Sequence, residues 1–188
     1  MMETEIDVRK VKVGFKALQL DVKEPFYRHR GDAGMDVCAA DDYLILPGQT
    51  VLVSTGFAVE LPEGYELQVR PRSGLSLKTN LSIANSPGTI DAGFRDEIKL
   101  IVHNNSDFSL AERQAKNDNN IETIDTAYGK LPVYDLTTKG ALHGAYKICR
   151  GDRIAQLVLA PIYQVEWSEA SGEPDFDRKG GFGHSGLA

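Results

Sequence analysis

The chain has 188 residues, a formal charge of −6 and a pI near 5.2. That length suits one domain, with a core of its own or one shared in an oligomer, and leaves little room for a second full domain. The acidic balance argues against a generic nucleic-acid groove, because phosphate backbones reward clustered Lys and Arg, so an anionic ligand has to be small and locally bound.

Residues 1–12 mix charged and apolar side chains without the apolar core of a signal peptide, and no segment approaches a membrane span. A reducing, cytoplasmic setting is expected. Strands are predicted over 11–18, 37–40, 43–46, 50–54, 57–61 and 65–70, with Pro47-Gly48 and Pro62-Glu63-Gly64 turning the chain between them. Further strands are read at 81–83, 89–90, 97–102, 146–149, 153–160 and 162–165, and the Asp91 segment between two of them as a long hairpin-like excursion. Short Val-, Ile-, Leu- and Tyr-rich runs, broken by eighteen glycines and eight prolines, describe an all-β barrel, sandwich or jelly roll. Cys38 and Cys149 have no metal-ligand spacing and are expected to be reduced and buried; His29, His103 and His143 read as surface or loop residues. Residues 166–188 are polar and glycine-rich.

One segment breaks an otherwise apolar, glycine-spaced stretch: Ser86-Pro87-Gly88-Thr89-Ile90-Asp91-Ala92-Gly93-Phe94-Arg95 delivers a single carboxylate, Asp91, between Ile90 and Ala92. Around it lie Ala33-Gly34-Met35-Asp36, Arg72-Ser73-Gly74-Leu75, Gly151-Asp152-Arg153-Ile154-Ala155-Gln156-Leu157 and Gly180-Gly181-Phe182-Gly183-His184-Ser185-Gly186. In their order and rough spacing these five segments resemble the trimeric deoxyuridine triphosphatases (dUTPases) across nearly the whole chain. The resemblance implies a jelly-roll-like β subunit, a homotrimer with shared sites, and Mg2+-assisted hydrolysis of dUTP to dUMP and pyrophosphate. That reaction limits uracil in DNA.

Hydrolysis of such a bond demands a positioned water, a base, and cations over the developing charge. The family match makes Asp91 the base for the water that attacks the α-phosphorus. Arg72, Ser73 and Gly74 fall on the phosphates, with Arg153 and Gln156 beside them. Asn85, Gly88, Thr89, Ile90 and Lys99 match nucleoside contacts, and Phe94 stands where the family commonly has a Tyr packed on the deoxyribose. Asp36 would help hold Mg2+ through water. In the tail, the match puts Phe182 over the uracil, Arg178 on the γ-phosphate, and Gly183, His184 and Ser185 along the phosphate chain. The spacing between Arg178 and Phe182 is one residue shorter than the family pattern.

Between Asn105 and Gly151 about three dozen residues exceed the usual family connection. Residues 109–144 are read as an inserted subdomain, with a helix opening at a capping box Ser109-Leu110-Ala111-Glu112 and an added strand pair around 130–136. The reading is therefore one domain over 1–188 with an insertion at 109–144 and a C-terminal lid at 166–188. Certain phage members carry an insert here and bind repressors, so a protein-binding regulator, with hydrolysis secondary, is the alternative. A dCTP deaminase is disfavoured because its catalytic Glu position is Ile101 here and it lacks the Gly-Phe-Gly tail. A non-catalytic capsid-like jelly roll would leave Asp91 and the tail cations without a role.

Overall fold

Turn residues and apolar alternation set the strands. A computed structural model describes residues 9–117 and 121–169. In chain order the strands are β1 (Gly14–Ala17), β2 (Gly34–Cys38), β3 (Tyr43–Ile45), β4 (Thr50–Ser54), β5 (Phe57–Glu60), β6 (Tyr65–Pro71), β7 (Leu81–Ile83), β8 (Gly88–Ile90) and β9 (Lys99–Asn104). They continue with β10 (Thr123–Thr126), β11 (Gly129–Asp135), β12 (Ala145–Ile148) and β13 (Arg153–Pro161). Two helices interrupt them, α1 (Ser73–Lys78) and α2 (Phe108–Asn117).

The described strands form four sheets, ordered β1-β5, β10-β11-β12-β3, β2-β13-β6-β8 and β4-β9-β7. All pairings are antiparallel except β11 with β12. Their inward faces supply one core, in which Ile45, Phe57, Leu67, Leu100, Tyr146, Ile148 and Leu157 are fully enclosed. This is the curled, mostly-β jelly-roll architecture expected from the sequence.

The four-stranded sheet of β2, β13, β6 and β8 positions the chemistry. Its pairing lines up Asp36, Gln156 and Arg70 in one row across β2, β13 and β6. Because side chains alternate across a strand, the neighbouring row Met35, Leu157 and Val69 points the other way. A bulge at Arg153/Ala155 buries both Ile154 and Ala155. Gln156 therefore does not share a face with Ile154, as strict alternation from Ile154 would require.

One element is new and two local expectations change. Pro71 ends β6, but the next residues do not remain a loop: Ser73–Lys78 wind into α1, with Leu75 buried beneath it. The Asp91 segment is not a paired hairpin, since β8 pairs with β6 while β9 pairs with β4 and β7, so Asp91 sits in a crossover between two sheets. Residues 162–165 form no strand; their edge has no partner strand within the described chain, and Tyr163, Val165 and Trp167 stand exposed.

Between Asn105 and Gly151 the chain forms α2, the β10–β11 hairpin and β12. The helix starts two residues earlier than the Ser109 box suggests, because the Asp107 carboxylate caps it by accepting the Leu110 N–H at 2.9 Å. α2 packs on β11, and β11 joins β12, which joins β3, so the segment is continuous with a body sheet. Gly144 permits this closeness, because a Cβ there would lie 2.6 Å from the Pro132 carbonyl oxygen.

Candidate functional site

Asp36 in β2 is the hub of the first cluster. Its Oδ1 accepts Arg72 Nε at 2.7 Å and its Oδ2 accepts Arg153 Nη1 at 2.8 Å, with its side chain 12% exposed. Arg72 Nη1 also donates to the Arg153 carbonyl at 3.1 Å. Two guanidiniums from different elements are thus drawn to one carboxylate, the stronger, charge-assisted kind of hydrogen bond. Each keeps free donors for an anion.

Gln156 lies in the same row, its Nε2 donating to the Pro71 carbonyl at 2.9 Å. Asp36, Arg72, Ser73, Gly74 and Gln156, together with Gly34, line a cleft of about 390 Å³. The loop before β2 adds Arg28, His29 and Asp32 to this cleft. His29 is anchored there by its backbone N–H, which donates to Asp32 Oδ2 at 2.7 Å. Sequence reasoning missed Arg28 as a further cation, and its only signal was its closeness to the Ala33-Gly34-Met35-Asp36 run. Cys38 and Cys149 are free, half-buried thiols rather than fully buried ones. Burial, ahead of the charges nearby, pushes the Cys38 thiol up and leaves it protonated.

The second cluster belongs to the crossover after β8. Asp91 is exposed, and its carboxylate makes no hydrogen bond or ion pair with the other described residues; only its backbone is engaged, accepting the Phe94 N–H at 3.0 Å. Phe94 is 39% exposed, so it is not part of the core. Asn85 is exposed with its carboxamide over Gly88, where an added Cβ would stand 2.9 Å from Asn85 Nδ2. Thr89 is exposed, Ile90 is buried, and Gly93 faces open space. Lys99 reaches Glu97 at 3.4 Å. Burial pushes the Glu97 carboxyl up, but bonds from Ser54 Oγ and the Gly56 N–H, with Lys99 nearby, outweigh it and hold the group below its ordinary value.

Register separates the two clusters. Ile90 pairs with Leu67, and Arg72 lies five residues farther on, just past the end of β6. At roughly 3.4 Å per residue that is roughly 17 Å, farther than extended Arg and Asp side chains together span. Within one chain, then, the structure gathers Asp36, Arg72, Ser73, Gly74, Arg153 and Gln156 at one end of the sheet. Ile90, Asp91 and Phe94 lie toward the other end, with Thr89 opposite Gln68; Gly88, with Asn85 over it, pairs with Val69, two residues before Pro71, and Lys99 opens β9 in the sheet of β4, β9 and β7. Arg178, Phe182, Gly183, His184 and Ser185 lie outside the described residues.

Comparison with known proteins identifies the family. The sequence profile of the dUTPase family matches residues 21–115. A deoxyuridine 5'-triphosphate nucleotidohydrolase from Hydrogenobaculum sp. is 38% identical over 94% of this chain and 99% of its own length. The chain belongs to the dUTPase family.

Among solved dUTPases, that of Staphylococcus bacteriophage 80alpha with dUpNHpp superposes with a TM-score of 0.72. It is 26% identical and covers 95% of this chain and 100% of its own. The dUTPase of phage phi11 of S. aureus, solved to visualise its species-specific insert, superposes at 0.68 with 28% identity over 88% and 100% of the two chains. The dUTPase profile ends inside α2, so the β10–β11 hairpin lies beyond the part of the chain it matches.

Proposed function

We propose that this chain hydrolyses dUTP to dUMP and pyrophosphate in a homotrimer, each site pairing the Asp91 crossover of one copy with the Arg72 cleft of another. The observation that carries this reading is the register just described. A carboxylate with no partner among the described residues and a cationic cleft, the two halves of one hydrolytic site, stand too far apart in a single chain for their side chains to meet. The exposed Tyr163, Val165 and Trp167 after β13 support assembly, since an apolar row at strand spacing with no partner strand among the described residues suits a neighbouring copy.

In the assembled site, Asp91 accepts a proton from a water as its oxygen attacks the α-phosphorus. The bond from that phosphorus to the bridging oxygen breaks, and pyrophosphate leaves. Arg72, Ser73, Gly74, Arg153 and Gln156 hold the phosphate chain, so that charge moves onto oxygens already facing donors. Asn85 and the backbone of Gly88, Thr89 and Ile90 recognise uracil, with Lys99 beside the nucleoside. Phe94 stacks on the deoxyribose, where a bare ring still crowds a 2′-hydroxyl. Arg178, Phe182, Gly183, His184 and Ser185, in the 166–188 lid, close over the bound nucleotide.

Mg2+, when bound, spreads the triphosphate's negative charge. Among the described residues no three His, Cys, Asp or Glu side chains gather as ligands. Mg2+ dehydrates reluctantly and takes its oxygens mainly from substrate phosphates and water. Both Asp36 oxygens are engaged by arginines, so Asp36 would act on the ion only through water while fixing the two guanidiniums.

A second reading gives residues 109–144 a protein-binding role, favoured by the exposure of Tyr128 and Leu110 on that segment. A cytoplasmic location fits both readings, and no helix among the described residues is long and apolar enough to cross a membrane. Pyrophosphate release from dUTP, dCTP, dTTP and UTP, with and without magnesium, tests the first reading. It predicts turnover of dUTP far above the others, and equal turnover of dCTP or none of dUTP would overturn it.

A further inference from the structure

Asn80 ties the far end of α1 to the segment that closes the 109–144 insertion. Its Nδ2 donates to the Ala141 carbonyl at 2.8 Å and to the Leu142 carbonyl at 3.1 Å. Its own N–H donates to the Tyr146 hydroxyl at 3.3 Å, and that hydroxyl donates in turn to the Leu142 carbonyl at 2.6 Å. Ala141 N–H reaches back to the carbonyl of Lys78, the last residue of α1, at 2.9 Å. That carbonyl is one of the acceptors a helix terminus leaves open, and here the insertion satisfies it.

The contact is made at a conformational cost. Ala141 adopts φ +48°, a left-handed conformation that a residue with a Cβ rarely takes, and such backbone persists only where its surroundings fix it. Tyr146 is fully enclosed, and burial pushes its phenol up, which keeps the donating proton in place.

The near end of the same helix is the phosphate cradle. Arg72 immediately precedes α1, Ser73 and Gly74 open it, and the helix is only six residues long, about 9 Å at the usual rise. So short a rod passes any tilt at Lys78 directly to Arg72. The insertion also comes close to the cradle itself: Leu136 and Thr137 share a cleft of about 360 Å³ with Arg72, Gly74, Lys78 and Arg153.

We propose that the closing loop of the insertion, residues 136–143, positions the phosphate cradle by clamping α1, with Asn80 and Tyr146 as positioning residues. This rests on reading Arg72, Ser73 and Gly74 as phosphate ligands. The loop touches no reacting atom. It sets where the Ser73 and Gly74 amides and the Arg72 guanidinium stand, and so governs how tightly the triphosphate is held rather than how fast the water attacks.

Asn80→Ala and Tyr146→Phe test this in the full-length protein, with Tyr128→Ala, on the insertion but away from the clamp, as control. Both clamp variants are expected to raise KM for dUTP and the dissociation constant of dUpNHpp by about tenfold, with kcat within about twofold of the parent. Amide exchange at Ser76 and Thr79, whose N–H groups bond to the Arg72 and Leu75 carbonyls, is expected to quicken. If Asn80→Ala fails to fold, the isosteric Tyr146→Phe carries the test. Unchanged KM and dUpNHpp affinity overturn the proposal whether or not the melting temperature falls, and so does an equal rise in KM for Tyr128→Ala. Wild-type protein that neither hydrolyses dUTP nor binds dUpNHpp would instead overturn the functional reading; unchanged exchange in the variants would then overturn the clamp by itself.

Discussion

Gln156 lies across Gly34 so closely that a Cβ on that glycine would stand 2.3 Å from Gln156 Oε1 and 3.1 Å from its Cδ. The two are diagonal neighbours across β2 and β13, where Gly34 pairs with Val158 and Gln156 with Asp36. The space a side chain would fill at Gly34 is where the glutamine runs on its way to the Pro71 carbonyl.

Gly34→Ala is therefore expected to separate stability from activity. The clashing atoms belong to the outer part of a flexible, half-exposed side chain, so the cost to folding is small, within about 1 kcal/mol. The glutamine has to swing out of the cleft, and kcat/KM for dUTP should fall by about tenfold or more. Thermal unfolding and steady-state kinetics on one preparation check this, and unaltered kcat/KM would show that Gln156 does not serve the substrate from this position.

Asp36→Asn keeps the size of the side chain but turns one acceptor into a donor facing a guanidinium. Arg72 and Arg153 would lose their shared anchor. A loss of about 1–3 kcal/mol of stability is expected, along with a rise in KM for dUTP of about tenfold, because a hydrogen-bonded charge is left partly unpaired. A nucleotide-binding isotherm beside a denaturation curve reads both. Intact affinity would leave Asp36 with a purely structural part.

The Asp91 base assignment makes a different demand. Asp91→Asn preserves shape and removes the proton acceptor, so kcat should drop by ~10² or more while dUpNHpp binding stays nearly unchanged. Weak binding with normal turnover would contradict the assignment. Because Asp91 has no partner among the described residues, its replacement should leave the melting temperature alone, and this distinguishes it from Asp36.

How much of this was legible in the chain differs between residues. Strands such as β4 and β6 could be read from alternation and turn chemistry, and the conspicuous Asp91 from its apolar setting. The Asp36–Arg72–Arg153 hub could not, because its members are brought together by strand pairing across 36 and 117 positions, information that no local pattern holds. A strict period-two count would put Gln156 on the face of Ile154, because a bulge is invisible to it. α1 was missed because six residues after a proline give no helical periodicity. The crossover at Asp91 read as a hairpin for a related reason: β8 and β9 follow each other in sequence, yet each finds its partner in a different sheet.

Glu97 supplies a pH dependence of stability. Its folded value lies below the ordinary 4.5 because Ser54, Gly56 and Lys99 outweigh burial. A depressed carboxyl stabilises the fold fully above the ordinary value, and that contribution is lost as pH falls through the lowered one. Glu97→Gln is expected to lower the melting temperature at neutral pH and to flatten its decline below about pH 4.5. Melting curves from pH 7 to 3 for both proteins check this, and parallel curves would remove Glu97 as the source.

The shared site predicts complementation between two inactive chains. An Asp91→Asn chain retains a good cleft, and an Arg72→Gln chain retains a good base. If each site takes these halves from different copies, mixed trimers contain sites in which both halves are wild type. Random assortment at equal amounts makes about a quarter of all sites whole in a closed, symmetric ring. Co-refolded or co-expressed mixtures should then recover roughly that fraction of wild-type turnover, while unmixed proteins combined without subunit exchange should not. A site confined to one chain gives no recovery under either condition, because every copy would carry one defective half.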